Sequence, residues 1–250
     1  MFKLIQAHAS TLGVKVQELQ HYLDLVATAS AADIVPILDE NRVLSYFGMQ
    51  VYQQSPRPGL IALLGERKQR AITVTDLVFR VAPRINAAGR MKHGSYAVEL
   101  LLSETTEEAS KRAEEIEAFN EDRKAQDRDI TEQALAQIEE SGQTNKTSTV
   151  VYDPNWHKGV IGIVASRLIE THYKPTVVFT RSGDVLTASA RSVRGFDLYA
   201  SLSQCQDHMI QFGGHKYAAG LTIRTEQYDG FCECFEPVSY THLTLPTIRE

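Results

Sequence analysis

The chain has 250 residues, of which 43% are hydrophobic and 23% charged, the balance of a soluble globular protein with one large core or two modest ones. No apolar run approaches the roughly 18 to 20 residues of a membrane span, and the start, Met-Phe-Lys-Leu-Ile-Gln-Ala-His, lacks a signal-peptide layout, so a cytoplasmic protein without membrane contact is expected. The formal net charge of −5 argues against a uniformly basic nucleic-acid binder, and three cysteines without a second spaced pair argue against a zinc site, leaving Cys205, Cys232 and Cys234 as expected free thiols.

In chain order, the apolar spacing predicts helices over Met1–Leu12, Val16–Ala31, Arg42–Gln53 and Leu60–Arg67. Thr73–Pro83 reads as helix or strand and leads into a loop over Arg84–Arg90. From Glu104 to Glu140 there is neither Gly nor Pro, and Ala109, Ala113, Ile116, Phe119, Ile130, Ala134 and Ile138 form a narrow apolar stripe. That span predicts one long helix of roughly 55 Å at 1.5 Å per residue, started near Ser103 and stopped by Ser141-Gly142. Beyond it, strands are expected at Thr149–Asp153, Thr176–Thr180, Val185–Ala190 and Ala218–Ile223. Helices are expected at Val160–Thr171, Asp197–Cys205 and Glu226–Phe235, the last broken by the fourteen residues from Pro237. The second half is a compact α/β domain by this reading.

Charge is unevenly spread. Residues 104–140 carry 13 acidic and 5 basic groups, whereas residues 1–103 carry 11 basic and 8 acidic, so the acidity lies in one segment. Basic clusters at Arg67, Lys68 and Arg70, and at Arg80, Arg84, Arg90 and Lys92, remain candidates to face a phosphate backbone, with a solvated surface as the plainer alternative.

Three stretches carry chemistry. In Gln211–Gly220, Gly213 and Gly214 allow φ > 0 or close approach of a phosphate, and His215 can donate to it or move a proton near neutral pH; a glycine turn before a buried strand is the competing reading. Ser189-Ala190-Arg191-Ser192 offers two hydroxyls and a guanidinium to phosphate oxygens. Trp156-His157-Lys158-Gly159-Val160-Ile161-Gly162 follows a strand and opens a helix whose N-terminus can face an anion.

Those three blocks in that order resemble the DHH-associated domain of the RecJ family of bacterial single-strand-specific DNA exonucleases. Pro83-Arg84-Ile85-Asn86-Ala87-Ala88-Gly89-Arg90-Met91 and Leu23-Asp24-Leu25-Val26-Ala27 resemble further RecJ signatures, and the resemblance covers residues 1–236. It implies an α/β fold made of the C-terminal part of a DHH phosphoesterase domain (1–103), a long connecting helix (104–141) and a DHH-associated substrate-binding domain (148–236). Residues 237–250 resemble a non-native tail.

The resemblance also implies a function: hydrolysis of single-stranded DNA from its 5′ end in repair and recombination, with Mn²⁺ or Mg²⁺ as cofactor. Asp24 is the matching metal ligand, and His215 is a catalytic or phosphate-binding group near the scissile bond. Arg84, Asn86, Arg90, Ser189, Arg191, Ser192, Gly213 and Gly214 are the implied phosphate contacts. Thr28-Ala29-Ser30 departs from the Gly-Thr pair of many relatives, and the chain is read as containing neither the Asp-x-Asp nor the Asp-His-His metal motif of the superfamily. The chain itself is therefore expected to be inactive. The partner is single-stranded DNA, with a helicase or single-strand-binding protein as a further partner. A phosphodiesterase for short oligonucleotides or cyclic dinucleotides and a non-catalytic nucleic-acid-binding module are the two alternatives.

Overall fold

A computed structural model of the protein describes residues 1–65 and 71–244, so the Arg67, Lys68 and Arg70 cluster lies outside the described residues. The chain folds as two compact units, Met1–Asp122 and Arg123–Glu250, each described by itself.

The first unit is helical. It contains α1 (Phe2–Thr11), a 3₁₀ turn at Val16–Tyr22, α2 (Leu23–Ala32), α3 (Asp39–Gln54) and α4 (Pro58–Leu64). It continues through α5 (Val74–Asp76), a π-helical turn at Leu77–Val81, α6 (Ala82–Met91) and α7 (Ser95–Leu101). Leu60, Leu77, Val81, Leu100, Ala109 and Ile116 are buried at its centre. The expected loop over Arg84–Arg90 is helix instead. Pro83 has no N–H to offer the carbonyl four residues back, and the chain accommodates this by widening the preceding turn, where the Ala82 amide reaches Leu77 O. Pro83 then occupies the first turn of α6, where the missing donor costs nothing. A proline read as a stop is here a wide turn followed by more helix.

One unbroken helix, α8 (Thr106–Glu140), begins in the first unit and ends in the second. Thr105 rather than Ser103 caps it, its Oγ1 accepting from the Glu108 amide at 3.2 Å, while Ser103 donates back to Glu99 O. At the far end Gly142 takes the left-handed conformation at φ +68°, as the Ser-Gly signal predicts. Within the second unit α8 is fastened polar group by polar group. Asp127, 2% exposed in its side chain, forms a two-pronged ion pair with Arg167 at 2.8 Å for both contacts. Gln133 Oε1 accepts from the Trp156 indole at 2.8 Å, and Gln137 pairs both ways with the Tyr152 backbone at 3.0 Å.

The second unit is a five-stranded sheet with helices on both faces. Its elements are β1 (Thr149–Tyr152), α9 (Ile161–His172), β2 (Thr176–Ser182), β3 (Val185–Arg191), α10 (Leu198–Ser203), β4 (Gln211–His215), β5 (Ala218–Arg224) and α11 (Tyr228–Thr244). Strand order is β1-β2-β3-β5-β4, with β1 and β2 parallel and every other pair antiparallel. Alternation along the strands sends Phe179, Leu186, Leu221 and Ile223 to one face, where they join Phe231 and Phe235 of α11.

Three expectations are overturned here. Gln211–His215 is an edge strand hydrogen-bonded to β5, not a loop, because the hairpin supplies from tertiary pairing what two glycines lack in strand propensity. Helix α11 does not end before Pro237 but runs through it to Thr244. Its interior proline forgoes one backbone bond while Phe231, Phe235 and Ser239, all buried, hold the helix against the sheet unit. Finally, Cys205 and Cys234 are not free thiols. They are joined as a disulfide with Cα atoms 5.9 Å apart, because the residues after α10 pack on α11; Cys232 remains free, and burial pushes its thiol up to about 11.

Glu236 ties α11 to the start of β1. Burial alone would raise its pKa. The Thr147 and Ser148 amides, at 2.7 and 3.0 Å, and both hydroxyls outweigh that and hold the carboxyl below its usual range. A depressed native pKa gives stability that is present above the unfolded value and lost as pH falls through the folded one. Glu236→Gln keeps the Thr147 contacts but turns an amide donor toward Ser148. It should lower the melting temperature at pH 7 by roughly 2–4 °C, about 1 kcal/mol after discounting for a half-exposed group, and the gap to wild type should close in acid. Thermal melts at pH 7 and pH 3 check this; an equal gap at both would refute the charge assignment.

Candidate phosphate-binding face

The strand register aligns the sequence-predicted residues of the second unit. Three rows cross β2, β3, β5 and β4 on one face: Thr176-Arg191-Ala218-His215, Val178-Ser189-Gly220-Gly213 and Thr180-Thr187-Thr222-Gln211. Ser189, Arg191, Gly213 and His215, drawn from stretches some twenty residues apart in sequence, thus share a surface. Helix α9 covers the β2 and β3 part of that face, leaving the β5 and β4 part open. The open part is a shallow depression of about 450 Å³ over Thr187, Gln211, Gly213, Gly220 and Thr222.

The two neighbouring glycines do different work. A Cβ at Gly213 would meet nothing within 4 Å, so this glycine leaves the floor of the depression low. Gly214 points to the other face, at φ +154°, and a Cβ there would lie 2.3 Å from Ala218 O and 2.5 Å from Ala219 Cα. Its role is the close approach of β4 to β5. His215 is exposed at the end of β4, and its Nδ1 accepts the Tyr217 amide at 3.2 Å, which leaves Nε2 as the ring's donor. Arg191, half-buried, donates from one terminal nitrogen to Ser189 Oγ at 3.0 Å and to Ala190 O at 2.9 Å. The guanidinium is thereby held rather than free to sweep through solvent.

Ser192 stands apart. Its hydroxyl points at Phe196 O, 2.8 Å away, and at Val193 O, so its hydrogen is engaged in closing a turn and not directed to the face. In the preceding loop, Trp156 is buried, the Thr180 hydroxyl donates to its carbonyl at 2.5 Å, and His157 Nδ1 accepts the Gly159 amide at 3.1 Å.

The remaining candidates belong to the first unit. Arg84, Asn86 and Arg90 lie on α6; Asn86 and Arg90, four apart, share an exposed side, while Arg84 pairs with Glu117 of α8 and donates to Arg80 O at 2.8 Å. Of the second basic cluster, Arg80 is likewise engaged, donating to Leu64 O at 2.9 Å.

Asp24, fully buried in the first turn of α2, accepts from the Leu25 amide at 2.7 Å, and its second oxygen lies 2.8 Å from Arg57 Nε. Thr28 donates to Asp24 O and contacts the Tyr52 hydroxyl at 2.6 Å; burial raises the Tyr52 pKa well above the ordinary tyrosine value. The chain does contain one Asp-x-Asp triplet, Asp127-Arg128-Asp129, but it lies on α8 with Asp127 committed to Arg167. Among the described residues no group of three His, Cys, Asp or Glu side chains is placed to hold a metal ion, so these residues by themselves do not fit a metal centre. No helix among them is long and apolar enough to cross a membrane.

Sequence reasoning singled out the stretches holding Gly220 and Gly162 but gave neither a role; Gly220 lies directly between Ser189 and Gly213 in the middle row, and the Cα of Gly162 faces Ser189 and Arg191. The small-residue run Ala218-Ala219-Gly220 was the available signal for the first.

Comparison with known proteins agrees with this architecture. Residues 145–238 match the DHHA1 domain model. The single-stranded-DNA-specific exonuclease RecJ of Bacillus subtilis is 39% identical over 90% of this chain and 28% of its own length, and that of Escherichia coli is 36% identical over 89% and 40%. The crystal structure of RecJ from Thermus thermophilus in complex with Mn²⁺ superimposes with a TM-score of 0.83 at 28% identity, covering 95% of this chain and 35% of that one. The chain thus spans less than half the length of each of these relatives. With identity extending over nine-tenths of its residues and through both units, the chain belongs to the RecJ family of the DHH superfamily.

Proposed function

We propose that the second unit is the part of a single-strand-specific DNA exonuclease that grips the 5′-terminal phosphate. The observation that carries this reading is the alignment of Ser189, Arg191, Gly213 and His215 on one partly open sheet face, with a held guanidinium, an imidazole and a floor kept low at Gly213 and Gly220. Such a face offers charge-assisted hydrogen bonds to a terminal phosphate and leaves room for the sugar that follows. Residues 1–103 act as the C-terminal part of a DHH domain, 104–141 as connector, 148–236 as the substrate-binding domain, and 237–250 as a non-native tail. Arg84, Asn86 and Arg90 are the proposed phosphate contacts of the first unit.

In the intact enzyme a Mn²⁺ or Mg²⁺ ion would supply Lewis-acid stabilisation of the charge at phosphorus. Asp24 would be a ligand supplied by this chain; among the described residues no group of three His, Cys, Asp or Glu side chains is placed to hold a metal ion, so the chain is expected not to hydrolyse DNA by itself. The intact protein works in the cytoplasm in DNA repair and recombination, beside a helicase or single-strand-binding protein.

Two results are expected of the 250-residue chain. It binds a single strand with an affinity that falls as salt rises, since phosphate contacts displace counterions. It also releases no nucleotides with either metal. Fluorescence anisotropy at two salt concentrations and a nucleotide-release assay against a mock purification check both. Absence of binding would refute the phosphate-gripping role, and metal-dependent release would refute the assignment of Asp24 as an isolated ligand.

A further inference from the structure

We propose that Gly162 is a positioning residue for Arg191, an inference that rests on the phosphate-gripping role proposed for this face. Helix α9 lies over β2 and β3 with Ile161, Val164, Ala165 and Leu168 buried, which fixes its rotation. Gly162, in its first turn, is set beside that buried stripe, its carbonyl accepting from Ser166 Oγ at 3.2 Å. A Cβ at Gly162 would come within 2.9 Å of Ser189 Oγ and 3.1 Å of an Arg191 guanidinium nitrogen. Both neighbours are side-chain ends, and the other terminal nitrogen of the same guanidinium, Nη1, donates to Ser189 Oγ at 3.0 Å. The missing methyl is therefore the space in which the Ser189–Arg191 pair is seated.

Gly162 sits inside a helix with no left-handed φ, so backbone geometry does not call for glycine. Helix propensity argues for alanine, which is the better helix former. The contact with Ser189 and Arg191 is what glycine serves. Because only side-chain ends must give way, Gly162→Ala leaves the fold standing and turns the guanidinium from its seat. Ser189 cannot rotate away without releasing Arg191.

The test is a double-mutant cycle on the full 250-residue chain, read by anisotropy with a 5′-phosphorylated single strand. Gly162→Ala should weaken binding about tenfold with an unchanged or raised melting temperature, and should cost less than about twofold in an Arg191→Ala background. Equal losses in both backgrounds would overturn the proposal, as would no loss where Arg191→Ala itself weakens binding. If Arg191→Ala costs nothing, the phosphate-gripping role fails, and the seat is then judged by NMR alone. The Arg191 Nε–Hε resonance, assigned by its disappearance in Arg191→Ala, should shift in Gly162→Ala; an unshifted resonance would overturn the proposal independently of DNA.

Discussion

Gly214→Val should lower the melting temperature by roughly 6–12 °C, whereas Gly213→Ala, one residue away, should leave it within about 2 °C. The difference lies in what each new Cβ meets. At Gly214 the contacts are Ala218 O at 2.3 Å and Ala219 Cα at 2.5 Å, backbone atoms of β5 that cannot yield without shifting a strand paired on both sides. Its φ of +154° adds strain for any L side chain. Overpacking of this kind costs about 1–3 kcal/mol and a sparsely populated backbone conformation about as much, so roughly 3 kcal/mol for the two together is a conservative expectation. At Gly213 there is no atom within 4 Å, and a methyl would stand on the floor of the depression. The pair of variants therefore separates stability from binding: Gly213→Ala should weaken binding of a single strand with little change in melting, and Gly214→Val should unfold early whether or not DNA is present. A Gly214→Val chain that melts like wild type would show that β4 does not pair with β5 in this register.

Arg191→Ala should weaken binding of a 5′-phosphorylated single strand ten- to a hundredfold, the equivalent of roughly 1.5–3 kcal/mol for a charge-assisted contact. The guanidinium is already oriented by Ser189 Oγ and Ala190 O, so little rotamer freedom is lost when it meets a phosphate. Loss of one cationic contact should also reduce the slope of log affinity against log salt by about one. His215→Ala should cost less, since the imidazole is exposed at the end of β4 and is not held in place as the guanidinium is. Were Arg191 only a brace for the end of β3, its removal would lower the melting temperature and leave DNA affinity within about threefold of wild type. Anisotropy and thermal melts on the same preparations separate the two.

Much of this fold is legible in the sequence because its strongest signals are local. The Gly- and Pro-free stretch with an apolar stripe gives α8, and the β-branched runs at Thr149, Thr176 and Val185 give three strands. What stayed hidden depends on partners distant in sequence. Gly213 and Gly214 carry no strand propensity of their own, and β4 exists because β5 pairs with it. Pro83 and Pro237 look like stops, yet a widened turn in one case and packing of α11 in the other carry the helix past them. The Cys205–Cys234 bond needs two helices in contact that are separated by 29 positions in sequence.

For the site, the residue types were readable and their duties were not. Ser189 and Ser192, three apart, look equivalent, but strand alternation turns the first to the face shared with Gly213, beneath α9, while the second closes a turn. Arg84 and Arg191 look like equal phosphate ligands, and only the fold shows the first paired with Glu117. Gly162 was legible as a member of the Trp156–Gly162 block but its duty was not, because a glycine that makes room for a side chain shows that purpose only once the side chain is in place.

The central claim, that a 5′-terminal phosphate is held on this sheet face, is tested most directly by titrating the isotope-labelled chain with a short 5′-phosphorylated single strand and with its 5′-hydroxyl counterpart. The account predicts that the phosphorylated strand shifts the amide signals of Ser189, Arg191, Gly213, His215 and Gly220 and the Arg191 Nε–Hε signal, at concentrations where the hydroxyl strand moves them little. Equal shifts with both strands, or shifts confined to other surfaces, would contradict it.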